Sequence, residues 1–185
     1  YNKFGTDGNQ AAVKISAGSV TGKLLQLLYK GTEVLNQDNT ILNLMSIQYV
    51  GSGSAAVMDI TATKLTTTVT GASGENLDIT LADYDDLGSL INYINSLSAY
   101  TCLLTGKSDE KTTVFDAVAS QDIKTAAYSA VGIVEALIRA ITGSESFTAT
   151  LTSGADRTVP DNMSVYTFLT GGTVSAATTQ NWTDA

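Results

Sequence analysis

Three aspartates stand almost together at Asp83, Asp85 and Asp86, and carboxylates at that density invite a reading as a calcium loop. An EF-hand loop also needs alternating ligands, a central glycine and a terminal glutamate twelve residues on. Here Leu87 follows at once. The three aspartates therefore read as helix-capping residues, placed where carboxylates accept free amide hydrogens and meet the positive end of a helix dipole. Asp59, Asp78, Asp116 and Glu135 are the candidates for a glycosidase-type carboxylate pair. Each sits beside apolar neighbours and reads as solvent-facing, and no accompanying motif singles out two of them. The run Gly51-Ser-Gly-Ser-Ala55 has the look of a phosphate cradle. It lacks the Gly-Lys-Ser/Thr ending of a P-loop and the spacing of a dinucleotide fingerprint, and a strand is expected after it rather than a helix. It reads as a hairpin turn, and Gly171-Gly172 as a flexible loop.

Absences narrow the chemistry further. The 185 residues contain no histidine, which removes Ser-His and Cys-His nucleophile pairs and histidine-containing zinc sites. Cys102 is the sole cysteine, so it forms no internal disulfide and no thiolate metal site. Its setting in Tyr100-Thr-Cys-Leu-Leu104 reads as a buried strand with the thiol as apolar filler, a pattern that suits assembly in a reducing cytoplasm. The eight tyrosines are scattered along the chain. No catalytic, cofactor-binding or metal-ligating residue is assigned, and no cofactor is expected; the chain reads as a non-enzyme.

Lys and Arg total 10 against 18 Asp and Glu, a formal net charge of −8. Such a surface repels phosphate backbones and anionic lipid headgroups, so neither nucleic acid nor membrane is expected as a partner. No apolar run approaches the roughly 20 residues of a spanning helix. A 43% hydrophobic content is enough for a core.

The elements that must position these residues are mostly short strands. Ala11–Ser16 alternates with Val13 and Ile15 on one face; Thr21-Gly22 turns; Leu24–Tyr29 reads as a strand or a short helix, the strand being preferred because Lys30-Gly31 then turns and Glu33–Leu35 restarts the pattern. Asn36–Thr40 is expected as a polar loop. Strands are expected at Ile47–Val50, Ala56–Thr63, Leu65–Thr70, Leu77–Leu81, Tyr100–Leu104 and Ser146–Thr152. Leu87, Leu90, Ile91, Ile94 and Leu97 share a helical face. A second helix is expected from about Asp122 to Thr142, with a stripe of Ala127, Ala130, Val131, Val134, Leu137, Ile138 and Ile141 and with Gly143 just past its end. The expectation is a single α+β domain over 1–185: a mainly antiparallel sheet or sandwich carrying two amphipathic helices, with 171–185 as a tail or linker to a next domain. The alternative is an α/β crossover joining 77–81 and 100–104 as parallel strands.

In their order these segments resemble bacteriophage contractile tail sheath proteins. The resemblance is carried by Tyr1-Asn-Lys-Phe-Gly-Thr-Asp-Gly-Asn-Gln10 with Val13-Lys-Ile15, Ile47-Gln-Tyr-Val-Gly51 with Gly53-Ser-Ala-Ala56, and Leu65-Thr-Thr-Thr-Val69 with Leu77-Asp-Ile-Thr-Leu81. It continues through Leu90-Ile-Asn-Tyr-Ile-Asn95, Tyr100-Thr, Phe168-Leu-Thr-Gly-Gly172 and Trp182-Thr-Asp-Ala185. It implies an internal or peripheral piece of a sheath subunit, located in the virion tail after assembly in the host cytoplasm. Its partners would be other sheath subunits and the tail tube protein, engaged through the full-length chain, while the isolated piece is expected to be monomeric. The competing expectation is a β-rich adhesin or carbohydrate-binding module on a virion or cell surface.

Overall fold

A computed structural model describes residues 10–144, 147–151 and 157–169. The entry segment 1–9, Gly171-Gly172, Trp182 and the expected tail 171–185 lie outside the described residues. The chain divides into two compact units. Unit 1 draws its described residues from 10–41, 133–144, 147–151 and 159–169, and unit 2 from 42–132 with 157–158.

Unit 1 is built on β1 (Ala11–Ala17), β2 (Lys23–Tyr29), β3 (Thr32–Thr40) and the short β11 (Thr167–Phe168), in the order β11-β1-β2-β3 with every pair antiparallel. The turn between β2 and β3 is two residues long. Lys30 and Gly31 both have positive φ, 51° and 76°, and Tyr29 pairs with Thr32. Two positive-φ residues define the type I′ turn, whose twist matches that of the strands it joins. The helix α2 (Ile133–Gly143) lays Leu137 and Ile141 onto Ala11, Val13, Ile15, Leu25 and Leu27, and Phe147 and Ala149 complete that core.

The loop expected at Asn36–Thr40 is the second half of β3. Only Thr40 in it is buried, because β3 is the outermost strand of its sheet and shows most of its side chains to solvent. An edge strand can be polar on both faces and still be held by its ladder to β2. The expected strand at Ser146–Thr152 survives in part: Phe147 and Ala149 both point inward, but 148–150 form no regular strand, and Ser146 and Thr152 lie outside the described residues.

Unit 2 holds two antiparallel sheets. One has the order β10-β4-β8, from β4 (Asn43–Tyr49), β8 (Tyr100–Leu104) and β10 (Tyr128–Val131); the other has the order β7-β6-β5-β9, from β5 (Ala55–Ile60), β6 (Lys64–Thr70), β7 (Asp78–Thr80) and β9 (Val118–Asp122). Leu44, Met45, Ile47, Met58, Ile60 and Leu65 are among the residues of one shared core. The helix α1 (Leu87–Ser96) adds Leu87, Leu90, Ile91 and Ile94. Asp86 is its N-cap, accepting from Ser89 N at 2.8 Å in a reciprocal capping box. Asn95 then ties the helix to β8: its carboxamide accepts from Cys102 N at 2.7 Å and donates to Cys102 O at 2.8 Å. This pair occupies the backbone groups that β8 turns away from β4, so the side chain of one residue closes a sheet edge.

The architecture is α+β, mainly antiparallel, with each helix on a different unit. β7 and β8 fall in different sheets, so the segment around α1 is no parallel crossover. The expected helix from Asp122 begins only at Ile133. Asp122 does carry a cap-like signature, accepting from Lys124 N at 2.7 Å and Thr125 N at 3.1 Å, but this is an Asx-turn linking β9 to β10. Tyr128–Ala130 then pair with Ile47–Met45 of β4, so Ala130 faces the core from a strand. Gly132 marks the change to helix, where a Cβ would come within 2.6 Å of Val114 O.

Lys30 occupies a left-handed position that costs a side chain-bearing residue roughly 1 kcal/mol or more. Replacing it by Asn, which tolerates that region and favours the first position of a type I′ turn, is expected to stabilise the protein by about 0.5–1 kcal/mol in urea unfolding. A loss of stability would contradict the turn assignment.

Candidate functional site

The carboxylates that the sequence offers for chemistry are each engaged separately. Asp59 accepts the amide of Ser120 at 2.9 Å. Asp78 forms an exposed ion pair with Lys64 at 2.7 Å. Glu135 belongs to unit 1, where Arg139 one helical turn on pairs with it at 3.0 Å. Asp116 departs from the solvent-facing expectation: it is only 4% exposed. It follows Phe115, which is buried too, and its amide donates to Val131 O at 2.9 Å, so the backbone carries its side chain inside. Asp83 and Asp85 are exposed beside the cap Asp86. No group of three or more carboxylates or thiols close enough to hold a metal ion occurs among the described residues.

Cys102 is buried on β8 with its thiol 3.5 Å from the sulfur of Met45. Burial pushes the thiol up to about 12, far from the thiolate range that nucleophilic chemistry needs. The filler reading holds for its surroundings.

A dense polar cluster in unit 2 lies outside the candidate residues the sequence offers. Tyr49 ends β4 and is 1% exposed, with its ring edge-on to Tyr100 at a centroid distance of 5.4 Å. The Tyr49 hydroxyl donates to the Glu75 carboxylate and accepts from Gly53 N at 2.7 Å. Ser52 Oγ donates to the other Glu75 oxygen at 3.2 Å. Lys124 lies over the Tyr49 ring at 4.9 Å and donates to Gly51 O at 2.8 Å. Loops 51–54, 71–77 and 123–127 thus meet on one phenol.

Tyr100 extends the cluster. Its hydroxyl donates to Glu75 O at 2.7 Å, which spends its proton, so the Thr67 hydroxyl at 2.6 Å must donate to Tyr100 and accept from Leu77 N at 2.8 Å. The result is a closed relay from Leu77 N through Thr67 and Tyr100 to Glu75 O. Burial is the main cause raising the Tyr49 and Tyr100 hydroxyls above the ordinary phenol value, with the Glu75 hydrogen bond adding to it for Tyr49. Both phenols stay protonated and act as hydrogen-bonding braces. Gly51 and Gly53 are required by this packing: a Cβ on either would lie 2.6 or 2.8 Å from the Tyr49 hydroxyl. That tyrosine-then-glycines spacing was the available sequence signal, and it reads equally well as an ordinary turn.

Unit 1 offers a shallow groove of about 500 Å³ between β3 and α2, lined by Val34, Leu35, Gln37, Arg139, Ala140, Gly143 and Ser144. It gathers no set of convergent reactive groups beyond the Arg139 already paired with Glu135.

No family model matches the chain. The tail sheath protein of Bacillus phage SP01 is similar to it, with 34% identity over 140 residues, taking in 68% of this chain and 24% of the relative. The chain is sheath-related. It spans about a quarter of the length of that curated relative.

Tyr49→Phe strands the buried Gly53 amide and frees Glu75, with an expected loss of about 1–3 kcal/mol in unfolding free energy; an unchanged midpoint would show that the brace is not structural. Stability against pH should be flat near neutrality, since histidine is absent. Burial holds Tyr49, Tyr100, Tyr128 and Cys102 protonated in the folded state beyond their ordinary values. The folded protein therefore keeps protons that the unfolded chain releases. That stabilisation is complete below pH 9 and is lost as pH rises from the ordinary thiol value of 9.0 to about 12. On the acid side, hydrogen bonds from Ser19, Ser89 and Thr125 hold Asp38, Asp86 and Asp122 below the usual carboxylate value, so their contribution is present above pH 3.8 and is lost as pH falls below it towards their lowered values. A melting temperature that climbs between pH 9 and 11 would refute the alkaline half.

Proposed function

We propose that the chain is a structural domain of a contractile tail sheath subunit, and that the assembled sheath surrounds the tail tube and contracts to drive it through the host envelope. The observation that carries this reading is the 34% identity to a tail sheath protein over most of the chain. In this role the chain is no enzyme: the energy of contraction comes from exchanging one set of subunit contacts for another. Shape-keeping units serve such an exchange, and the packed cores, the Asn95 clip and the Tyr49 brace are features of that kind.

The partners in this reading are neighbouring sheath subunits and the tail tube protein, engaged through the full-length subunit. No nucleic acid or membrane partner belongs to this reading, since a net charge of −8 repels phosphate backbones and anionic headgroups. Assembly takes place in the host cytoplasm, and 1–185 serves as one module of its parent, which needs no cofactor.

Labelling of intact particles with an antibody raised against the chain tests the proposal. Label is expected along the whole tail, in extended and contracted particles alike; label confined to head, baseplate or fibres would overturn it. The isolated chain is expected to be monomeric by light scattering, because the contacts of the assembly are made by the full-length subunit. A stable closed oligomer would contradict that part.

A further inference from the structure

The chain enters unit 2 between Ile41 and Leu42 and leaves it between Gly132 and Ile133. At that boundary Gly132 N donates to Leu42 O at 2.8 Å, so the two ends of 42–132 lie side by side. The apolar side chains divide along the same line. Every buried member of the larger core lies between Leu44 and Ala130, and its partly buried neighbours lie between Leu42 and Tyr128. The smaller core draws only on residues up to Leu35 and from Ile133 onward.

We infer that 42–132 is a guest domain inserted into a host formed by the flanking segments, and that guest and host open independently of each other. Cooperative melting requires shared burial, and these cores share no residue. The host's two segments are joined by a guest whose ends are in backbone contact. A folded guest therefore acts on the host as a short connection, and even an unfolded one adds a loop-closure cost that grows only with the logarithm of its length. The stretch 157–158 is grouped with the guest, where Ala117 N reaches Arg157 O at 3.3 Å. This long bond adds no apolar residue to either core. The inference stands apart from the sheath reading and would hold for any function.

Cys102 is a built-in reporter, since it is the chain's sole thiol and is buried in the guest. The test uses the intact chain, with thiol labelling by an aromatic disulfide reporting the guest and amide exchange at Leu25 and Leu27 of β2 reporting the host. Leu90→Ala, in the guest core, is expected to speed Cys102 labelling more than about tenfold and to leave the β2 amides unchanged. Leu137→Ala, in the host core, is expected to do the reverse. A comparable acceleration of both reporters by either substitution would overturn the inference. Should Leu137→Ala unfold the host outright, Cys102 must remain protected, and its exposure would overturn the inference equally.

Discussion

Tyr49 is where the apolar core of unit 2 meets its polar loops, and much of that unit's detail follows from the needs of one buried hydroxyl. A phenol at 1% exposure must find its hydrogen bonds inside the protein. Gly53 supplies a donor and Glu75 an acceptor. The first demands that the backbone after β4 double back within a few residues. The second demands that the loop between β6 and β7 fold over the same spot. Glycine at 51 and 53 is the consequence, because any side chain there would occupy the space of the hydroxyl. Loops made of Gly, Ser and Ala, which have little to bury, are thus fixed from beneath by a residue of the core.

The periodic parts of this fold were legible in the sequence because their signal is local. Val13 and Ile15, or Leu87, Leu90, Ile91 and Ile94, declare a face at spacing two or at spacing three and four, and the structure uses those faces. The failures are local signals with two meanings. Asp122 followed by Ile123-Lys-Thr-Ala-Ala127 describes a helix start and an Asx-turn equally well, and the pairing of Tyr128–Ala130 with β4 decides between them. Asn36–Thr40 has the polarity of a loop, but polarity marks irregular structure only where no ladder is available, and an edge strand needs only its ladder.

The candidate site was illegible for a different reason. Its members come from β4, β6, two glycine-containing loops, β8 and the turn after β9, and no spacing rule connects Tyr49 to Glu75 or to Lys124. Burial was likewise visible only as direction. Periodicity says that Leu27 and Met58 both point inward; that they point into two different interiors depends on contacts far apart in the chain. The burial of Asp116 belongs with these, since the residue beside it, Phe115, looks apolar in sequence without disclosing that the backbone takes both inside.

A site that reacts and a site that braces differ in what their polar groups have left to give. In the relay from Leu77 N through Thr67 and Tyr100 to Glu75 O, each hydroxyl proton is directed to a partner inside the protein. The Tyr49 hydroxyl is held protonated by its burial and by the carboxylate beside it. Such groups fix the distance between loops and resist change, because opening one bond leaves a buried donor or acceptor without a partner. In the proposed sheath role, where a subunit would exchange neighbours, that resistance is the useful property. Contacts on the outside can be traded between two packings only if the bodies that carry them stay the same in both.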